Sequence, residues 1–189
     1  MKRLIIIFLI LMGLLMADLS PELLAQVDPW YWANLNKIKL TVGSFGLRRH
    51  EYQVQPMQDN SRVKCFIKGT QGGFTEIEVL RTLHGMIYRK YPAGVLYAFP
   101  TGDDVSDFSR SRFNPLIQNN FETIGRYVRN TDSTNLKKIG DAFLYLRGAR
   151  LTQKVAGSEK ESSKARSVPV DKIVCDELDL MDPDIIAKF

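Results

Sequence analysis

The sequence predicts a three-layer α/β domain in which helices pack on the faces of a mainly parallel sheet. Short apolar runs typical of buried strands alternate with segments whose apolar residues recur every three or four positions, as in helices. The predicted strands lie near 63–67, 94–99, 143–146 and 172–175, and the predicted helices lie near 75–90 and 104–120. Alternation of strands and helices favours parallel strands, because parallel neighbours need a crossover connection.

The first long helix is predicted from its apolar periodicity, and its apolar face carries Ile77, Leu80, Leu83 and Ile87. It ends before Pro92, because proline cannot continue a helix. The second long helix begins where Asp103 and Asp104 suit a helix start. Arg110 and Arg112 on that second helix are expected on a solvated face, and the alternative is that they face DNA or a neighbouring subunit.

A glycine-rich loop lies between the first predicted strand and the first long helix. Residues 68–76 read KGTQGGFTE, a variant of the phosphate-binding (Walker A) pattern G-x-x-x-x-G-K-[ST]. On that pattern Gly73 is the second glycine and Thr75 is the hydroxyl that ligates Mg²⁺. Phe74 occupies the usual lysine position, and Lys68 stands in place of the first glycine. A tight turn without a phosphate-binding role is the alternative interpretation.

The lysine at the start of the loop can still serve the phosphates. A loop wrapped around a phosphate is compact, and a lysine acts there as a point charge that tolerates a new point of attachment. The glycines allow the backbone to approach closely, and the following helix aims its first N–H groups at the phosphates. The predicted ATP-binding residues of the loop are Lys68, Gly69, Thr70, Gln71, Gly72, Gly73, Phe74 and Thr75.

A pair of acids follows the last predicted strand. Asp176 and Glu177 come directly after the apolar run 172–175, at the carboxyl end of a strand, where open α/β sheets bind their ligands. As a Walker B pair, Asp176 would hold Mg²⁺ and Glu177 would orient and deprotonate the attacking water. The alternative is a solvated turn. Together with the loop, the acids predict a P-loop NTPase domain that uses ATP and Mg²⁺.

The motifs resemble one family of P-loop ATPases. The form K-x-x-Q-x-G-x-T-E is matched in order by Lys68, Gln71, Gly73, Thr75 and Glu76, and further matches are the segments 94–101, 143–149 and 176–179. The chain thereby resembles the N-terminal ATPase region of the large terminase subunit of tailed bacteriophages, in particular the lambda-type branch. The resemblance extends from about Pro29 to the end of the chain.

The resemblance implies further site residues. A glutamine that reads adenine precedes the loop in this family, and Gln53 fits best, with Gln58 as the second choice. An arginine finger often lies about ten residues before the metal-binding aspartate, and Arg166 has that spacing. It would insert into a neighbouring subunit's ATP and offset charge in the transition state. A flexible, charged surface loop over 157–167 is the alternative for Arg166.

The resemblance also implies partners and a place of action. A large terminase packages double-stranded DNA into the procapsid in the host cytoplasm, works with a small terminase subunit and a portal protein, and assembles as a homo-oligomeric ring. Large terminases continue with a coupling motif and a nuclease domain that this sequence lacks. We therefore expect an ATPase domain that is incomplete at its C-terminus and has no nuclease activity.

The N-terminus has two interpretations. Lys2 and Arg3 before the apolar run 4–16 resemble a secretory signal. That run is too short for an ordinary membrane span and lacks a good cleavage site. Alternatively, translation starts at Met16, which we favour, and no stable membrane partner is expected.

The sequence divides into three parts on this basis. Residues 1–15 are an apolar leader or a mis-called start, 16–50 are a helical lid-like segment, and 51–189 are the ATPase domain. The lid-like segment contains a helix predicted from Ser20 to about Leu40, with Pro21 at its first position.

Composition agrees with a single domain and excludes some chemistry. The 189 residues carry a net charge of +5, of which Lys2 and Arg3 contribute two, and the remaining +3 permits DNA contact without arguing for it. Cys65 and Cys175 fall in predicted core strands, where they act as small hydrophobes. The two histidines have no partners at metal-ligand spacing.

Two other functions remain open from the sequence. One is a different P-loop motor, such as a helicase, which would share both predicted sites. The other is an inactive prophage remnant that keeps the fold as an interaction module. Binding of Mg-ATP distinguishes the motors from the remnant.

Overall fold

The N-terminal part of the protein is helical. The computed structural model describes residues 20–46, 48–69, 71–149 and 168–187. Helices α1 (Pro21–Val27) and α2 (Pro29–Leu35) replace the single helix predicted from Ser20, because Asp28 ends the first and caps the second. The Asp28 carboxylate accepts hydrogen bonds from the N–H groups of Trp30 and Tyr31 at 2.8 and 3.0 Å. A 3₁₀ turn (Glu51–Gln53) then leads into α3 (Val54–Gln58).

Two longer helical regions follow. Helix α4 (Phe74–Ile87) confirms the first long helix of the prediction. The second region consists of α5 (Gly102–Phe108), a π-helical segment (Ser109–Phe113) and α6 (Asn114–Asn119). Thr101 and Asp104 form a capping box at its start, which confirms the capping role of that acid. A last short helix, α7 (Pro183–Ile186), lies near the end of the chain.

Five strands of the described residues form one sheet. The strands are β1 (Val95–Phe99), β2 (Val128–Asp132), β3 (Leu136–Ile139), β4 (Ala142–Gly148) and β5 (Lys172–Cys175). Their order is β2-β3-β4-β1-β5, and β1 lies parallel to both β4 and β5. Only β3 runs against the others, since it is antiparallel to both β2 and β4. The mixed α/β fold with a mostly parallel sheet is therefore as predicted.

Both long helical regions pack on the same face of the sheet. Val95, Tyr97 and Phe99 point to one side of β1 and share one hydrophobic core with α4 and α5. The ring of Phe108 from α5 stacks on that of Tyr97, at 5.6 Å between ring centroids. On the opposite face, Ala98 packs with Met181 near the end of the chain. Helices on the faces of the sheet were predicted, and these two helical regions share one face, which apolar periodicity alone does not reveal.

The predicted strand at 63–67 is also wrong. This segment forms no strand, and Val63 is 84% exposed while Ile67 is fully exposed. A strand requires a hydrogen-bonded neighbour. The edge strand β5 pairs only with β1 among the described residues, so the segment 63–67 does not pair with it. Cys65 is consequently exposed rather than in the core, and Cys175 on β5 is half-buried.

No described helix has both the length and the apolar character that crossing a membrane requires. The predicted leader, residues 1–15, lies outside the described residues.

Gly94 provides a test of the packing between β1 and β4. Its φ is +116°, and a β-carbon added there would lie 2.6 Å from the carbonyl oxygen of Phe143. We expect Gly94→Ala to lower the free energy of unfolding by about 2 kcal/mol or more, because strain and a backbone clash combine. Urea unfolding measures this. Gly102→Ala is the control, since nothing lies within 4 Å of the added carbon, and an equal loss in both variants would contradict the argument.

Candidate functional site

The loop before α4 and the end of β5 meet at one lysine. The Nζ atom of Lys68 lies 3.0 Å from Oγ1 of Thr75 and 2.5 Å from Oδ1 of Asp176. Asp176 directly follows β5, and its N–H donates to the carbonyl of Ala98 at 3.0 Å, so the strand pairing fixes the backbone of the acid. Three residues predicted for one site from separate motifs are therefore in direct contact.

Glycine is required at the end of the loop. Gly73 has φ +71°, and a β-carbon added there would lie 2.5 Å from Nε2 of Gln53. The same Gln53 nitrogen donates to the carbonyl of Gly72 at 3.0 Å. The hydroxyl of Tyr52 donates to that carbonyl as well, also at 3.0 Å. The loop thus packs directly against the residues that precede α3, and Gln71 adds a second positive φ of 62°.

Gln53 and its alternative occupy different places. Gln53 is buried against the loop, 7% exposed. Gln58 instead donates from Nε2 to Asp28 Oδ2 at 2.5 Å, away from the loop. Between the two candidates for adenine recognition, only Gln53 lies beside the loop. The adenine role itself stays a prediction.

Aromatic side chains pack around the start of α4. The ring of Phe74, which occupies the usual lysine position, lies 5.5 Å from that of Phe66 and 6.2 Å from that of Tyr52, measured between centroids. Phe66 and Tyr52 were not predicted to lie beside the loop, because contacts between separate irregular segments leave no periodic signal in the sequence. These contacts show that position 74 serves packing in this protein.

Glu177 stands at the same strand end as Asp176. It is exposed, and it adopts the left-handed conformation with φ 59° and ψ 50° before a 3₁₀ turn, Leu178–Leu180. Non-glycine residues adopt this conformation infrequently, and such positions are enriched at functional sites. Glu177 follows Asp176 at the carboxyl end of β5 with its side chain exposed to solvent.

A second ion pair adjoins this cluster. Nη1 of Arg112 lies 3.1 Å from Oε1 of Glu76, in the first turn of α4. Burial raises the pKa of Glu76; Arg112 acts in the opposite direction, and Asp176 raises this pKa further. The Arg112 side chain is 51% exposed, yet it pairs with the loop helix instead of only facing solvent as expected.

A partly buried ion pair joins α4 to the other end of β5. Nζ of Lys172 lies 2.5 Å from Oε1 of Glu78 and 3.0 Å from Oγ1 of Thr82. Burial lowers the pKa of Lys172, and Glu78 opposes that change. Glu78 also pairs with Arg81 at 3.3 Å. Helix α4 is thus attached to both ends of one short strand.

The residues present fit a magnesium ion that takes its remaining ligands from phosphates and water. Among the described residues there is no group of three or more His, Cys, Asp or Glu side chains arranged to hold a metal. Thr75 and Asp176 nevertheless place two oxygen atoms around one ammonium group. Mg²⁺ at phosphate sites is held by one or two protein oxygens together with phosphates and water. Two of the predicted site residues, Thr70 and Arg166, lie outside the described residues.

A comparison with protein families identifies the chain's relatives. The family model described as "Phage terminase large subunit gpA, ATPase domain" matches residues 42–188. No curated protein and no solved structure matches the chain. The matched region includes the loop, both acids after β5 and the pair formed by Arg112 and Glu76.

The partly buried ion pair of Lys172 with Glu78 predicts which of two substitutions lowers stability more. Glu78→Ala leaves Lys172 and Arg81 without their carboxylate, and we expect it to lower the free energy of unfolding by about 3 kcal/mol. Lys172→Met leaves Glu78 paired with Arg81, so we expect a loss of about 1 kcal/mol or less. Urea unfolding at pH 7 measures both. The reverse order would mean that Lys172, not Glu78, is the centre of this network.

Proposed function

Because the chain belongs to the family of phage terminase large subunit gpA ATPase domains, we propose that it hydrolyses ATP with Mg²⁺ to drive DNA into a procapsid. The observation that carries the proposal is the contact of Lys68 with both Thr75 and Asp176. A phosphate-binding lysine, a metal-binding hydroxyl and a metal-binding carboxylate must meet in any site of this kind. The fold that we propose is accordingly a P-loop NTPase fold.

The loop would bind the phosphates of ATP. Residues 68–75 lead into α4, whose first N–H groups have no partner within the helix and favour an anion. Gly73, with its positive φ, turns the backbone there. Lys68 would supply the positive charge from the start of the loop. Its side chain would then move from Asp176 to the phosphates.

The metal would be held by Thr75 and Asp176. When bound, Mg²⁺ would offset the negative charge of the phosphates. An ammonium group and a divalent cation cannot occupy the same position between these two oxygens, so the Lys68 amine must leave it. The loop entry, which forms no strand, leaves Lys68 the freedom for this movement.

Three further residues complete the proposed reaction. Glu177 would orient the attacking water and accept its proton. Gln53 would read the adenine edge with its amide oxygen and its second N–H donor, since only one donor contacts the carbonyl of Gly72. Arg166 would reach the ATP of a neighbouring subunit and offset charge in the transition state.

The proposed assembly follows from the family. We place the ATPase domain at 51–189 and the lid-like segment at 16–50. The partners would be double-stranded DNA, a small terminase subunit, a portal protein and further copies in a ring, in the host cytoplasm. The proposed partners and place of action are carried by the family match alone, and the domain bounds rest on the sequence.

Two substitutions separate binding from hydrolysis. Lys68→Ala removes the charge that meets the phosphates, and we expect Mg-ATP to bind at least about tenfold more weakly. Glu177→Gln keeps that charge but removes the base, so we expect binding within about threefold of wild type and hydrolysis slowed by about 100-fold or more. Calorimetry and phosphate release measure the two quantities.

Lys64→Ala is the matched control, because Lys64 precedes Lys68 in the same irregular segment and the described contacts to Thr75 and Asp176 come from Lys68 instead. We expect it to change neither quantity. If Lys68→Ala and Lys64→Ala bind Mg-ATP equally well, Lys68 is not the phosphate-binding lysine.

A further inference from the structure

We propose that Arg112 is a second cationic residue of the nucleotide site, contacting the terminal phosphate of ATP from within the same chain. This inference rests on the proposed ATP site. It assigns to an arginine far from both motifs a part in distinguishing ATP from ADP. It is independent of Arg166, which would act from a neighbouring subunit.

Arg112 lies beside the first turn of α4. Nη1 of Arg112 lies 3.1 Å from Oε1 of Glu76, and Glu76 directly follows Thr75 in the first turn of α4. The guanidinium group is therefore held beside the part of the helix that would face the terminal phosphate. Thr75 contacts Lys68, and Lys68 contacts Asp176, so the pair of Arg112 and Glu76 adjoins this group through the first turn of α4.

The backbone at Arg112 departs from the α-helical conformation. Ser109–Phe113 form a π-helical segment between α5 and α6. A π-helical turn widens an α-helix and changes the direction of its side chains, and such turns are frequent at functional sites. This segment lies in the helical region that packs against β1, the strand next to β5. The deviation from α-helix thus occurs where it affects Arg112.

The proposed site carries more negative than positive charge without Arg112. Three carboxylates stand at the site, on Glu76, Asp176 and Glu177, and a nucleotide would add several negative charges. Lys68 alone does not balance them, and Arg112 is the next cation in contact with the group. A second cation there lowers the electrostatic cost of bringing a triphosphate beside the acids.

A guanidinium group is well suited to bind a phosphate. Arginine carries five N–H donors in a planar fork that matches phosphate oxygens. In the described structure only Nη1 of Arg112 contacts Glu76, and the side chain is half exposed. Its remaining donors are available to a phosphate. Because an exposed ion pair adds at most about 1 kcal/mol, stability alone is a weak reason for this contact.

The test compares two nucleotides in the full chain. We would measure the affinity of a non-hydrolysable Mg-ATP analogue and of Mg-ADP for wild type, Arg112→Gln, Arg112→Lys and Arg110→Gln. We expect Arg112→Gln to weaken the ATP analogue about tenfold and ADP less than about twofold. Arg112→Lys should recover part of the loss, because lysine keeps the charge without the fork.

Arg110→Gln is the matched control, since Arg110 is exposed in the same π-helical segment. It should change neither affinity. Equal weakening of both nucleotides by Arg112→Gln, or no weakening, would overturn the inference and leave the ATP site intact. A selective loss of DNA binding would also overturn it and would assign Arg112 to DNA phosphates. If wild type binds neither nucleotide, the proposed function fails together with the inference.

Discussion

The contact between Lys68 and Asp176 is the interaction on which the site depends. It joins two segments 108 residues apart, at 2.5 Å between Nζ and Oδ1. The segment before the loop forms no strand, so hydrogen bonds of the sheet do not hold Lys68 in place. Both side chains are partly buried, which makes the attraction stronger than in a fully exposed pair. An ion pair is also easier to exchange for a ligand than a strand is to unpair.

The ion pair of Lys172 with Glu78 holds α4 against β5 while the contact of Lys68 changes. Lys172 and Asp176 lie at the two ends of β5, about 13 Å apart. At the first end, Glu78 and Thr82 of α4 hold Lys172 in a partly buried network. Movement of Lys68 at the other end therefore need not displace α4 from the strand. The site combines a rigid helix and strand with a loop whose lysine can change partners.

The sequence predicted the elements of this site better than their neighbours. Apolar periodicity was enough for α4, and an acidic pair after an apolar run was enough to place Asp176 at a strand end. The strand at 63–67 failed because composition does not report whether a hydrogen-bonding partner exists. The pair formed by Arg112 and Glu76 was invisible for a different reason. It depends on a π-helical turn, and its hydrogen bonds leave no repeat in the sequence.

The displaced lysine and the aromatic residue in its usual position belong to one arrangement. A lysine at the loop entry can reach the site only if the entry itself is held near β5. The ring of Phe74 packs against Phe66, two residues before Lys68, and so fastens the entry to the start of α4. A lysine at position 74 could not make that apolar contact. Moving the charge to position 68 and placing an aromatic ring at position 74 therefore compensate for each other.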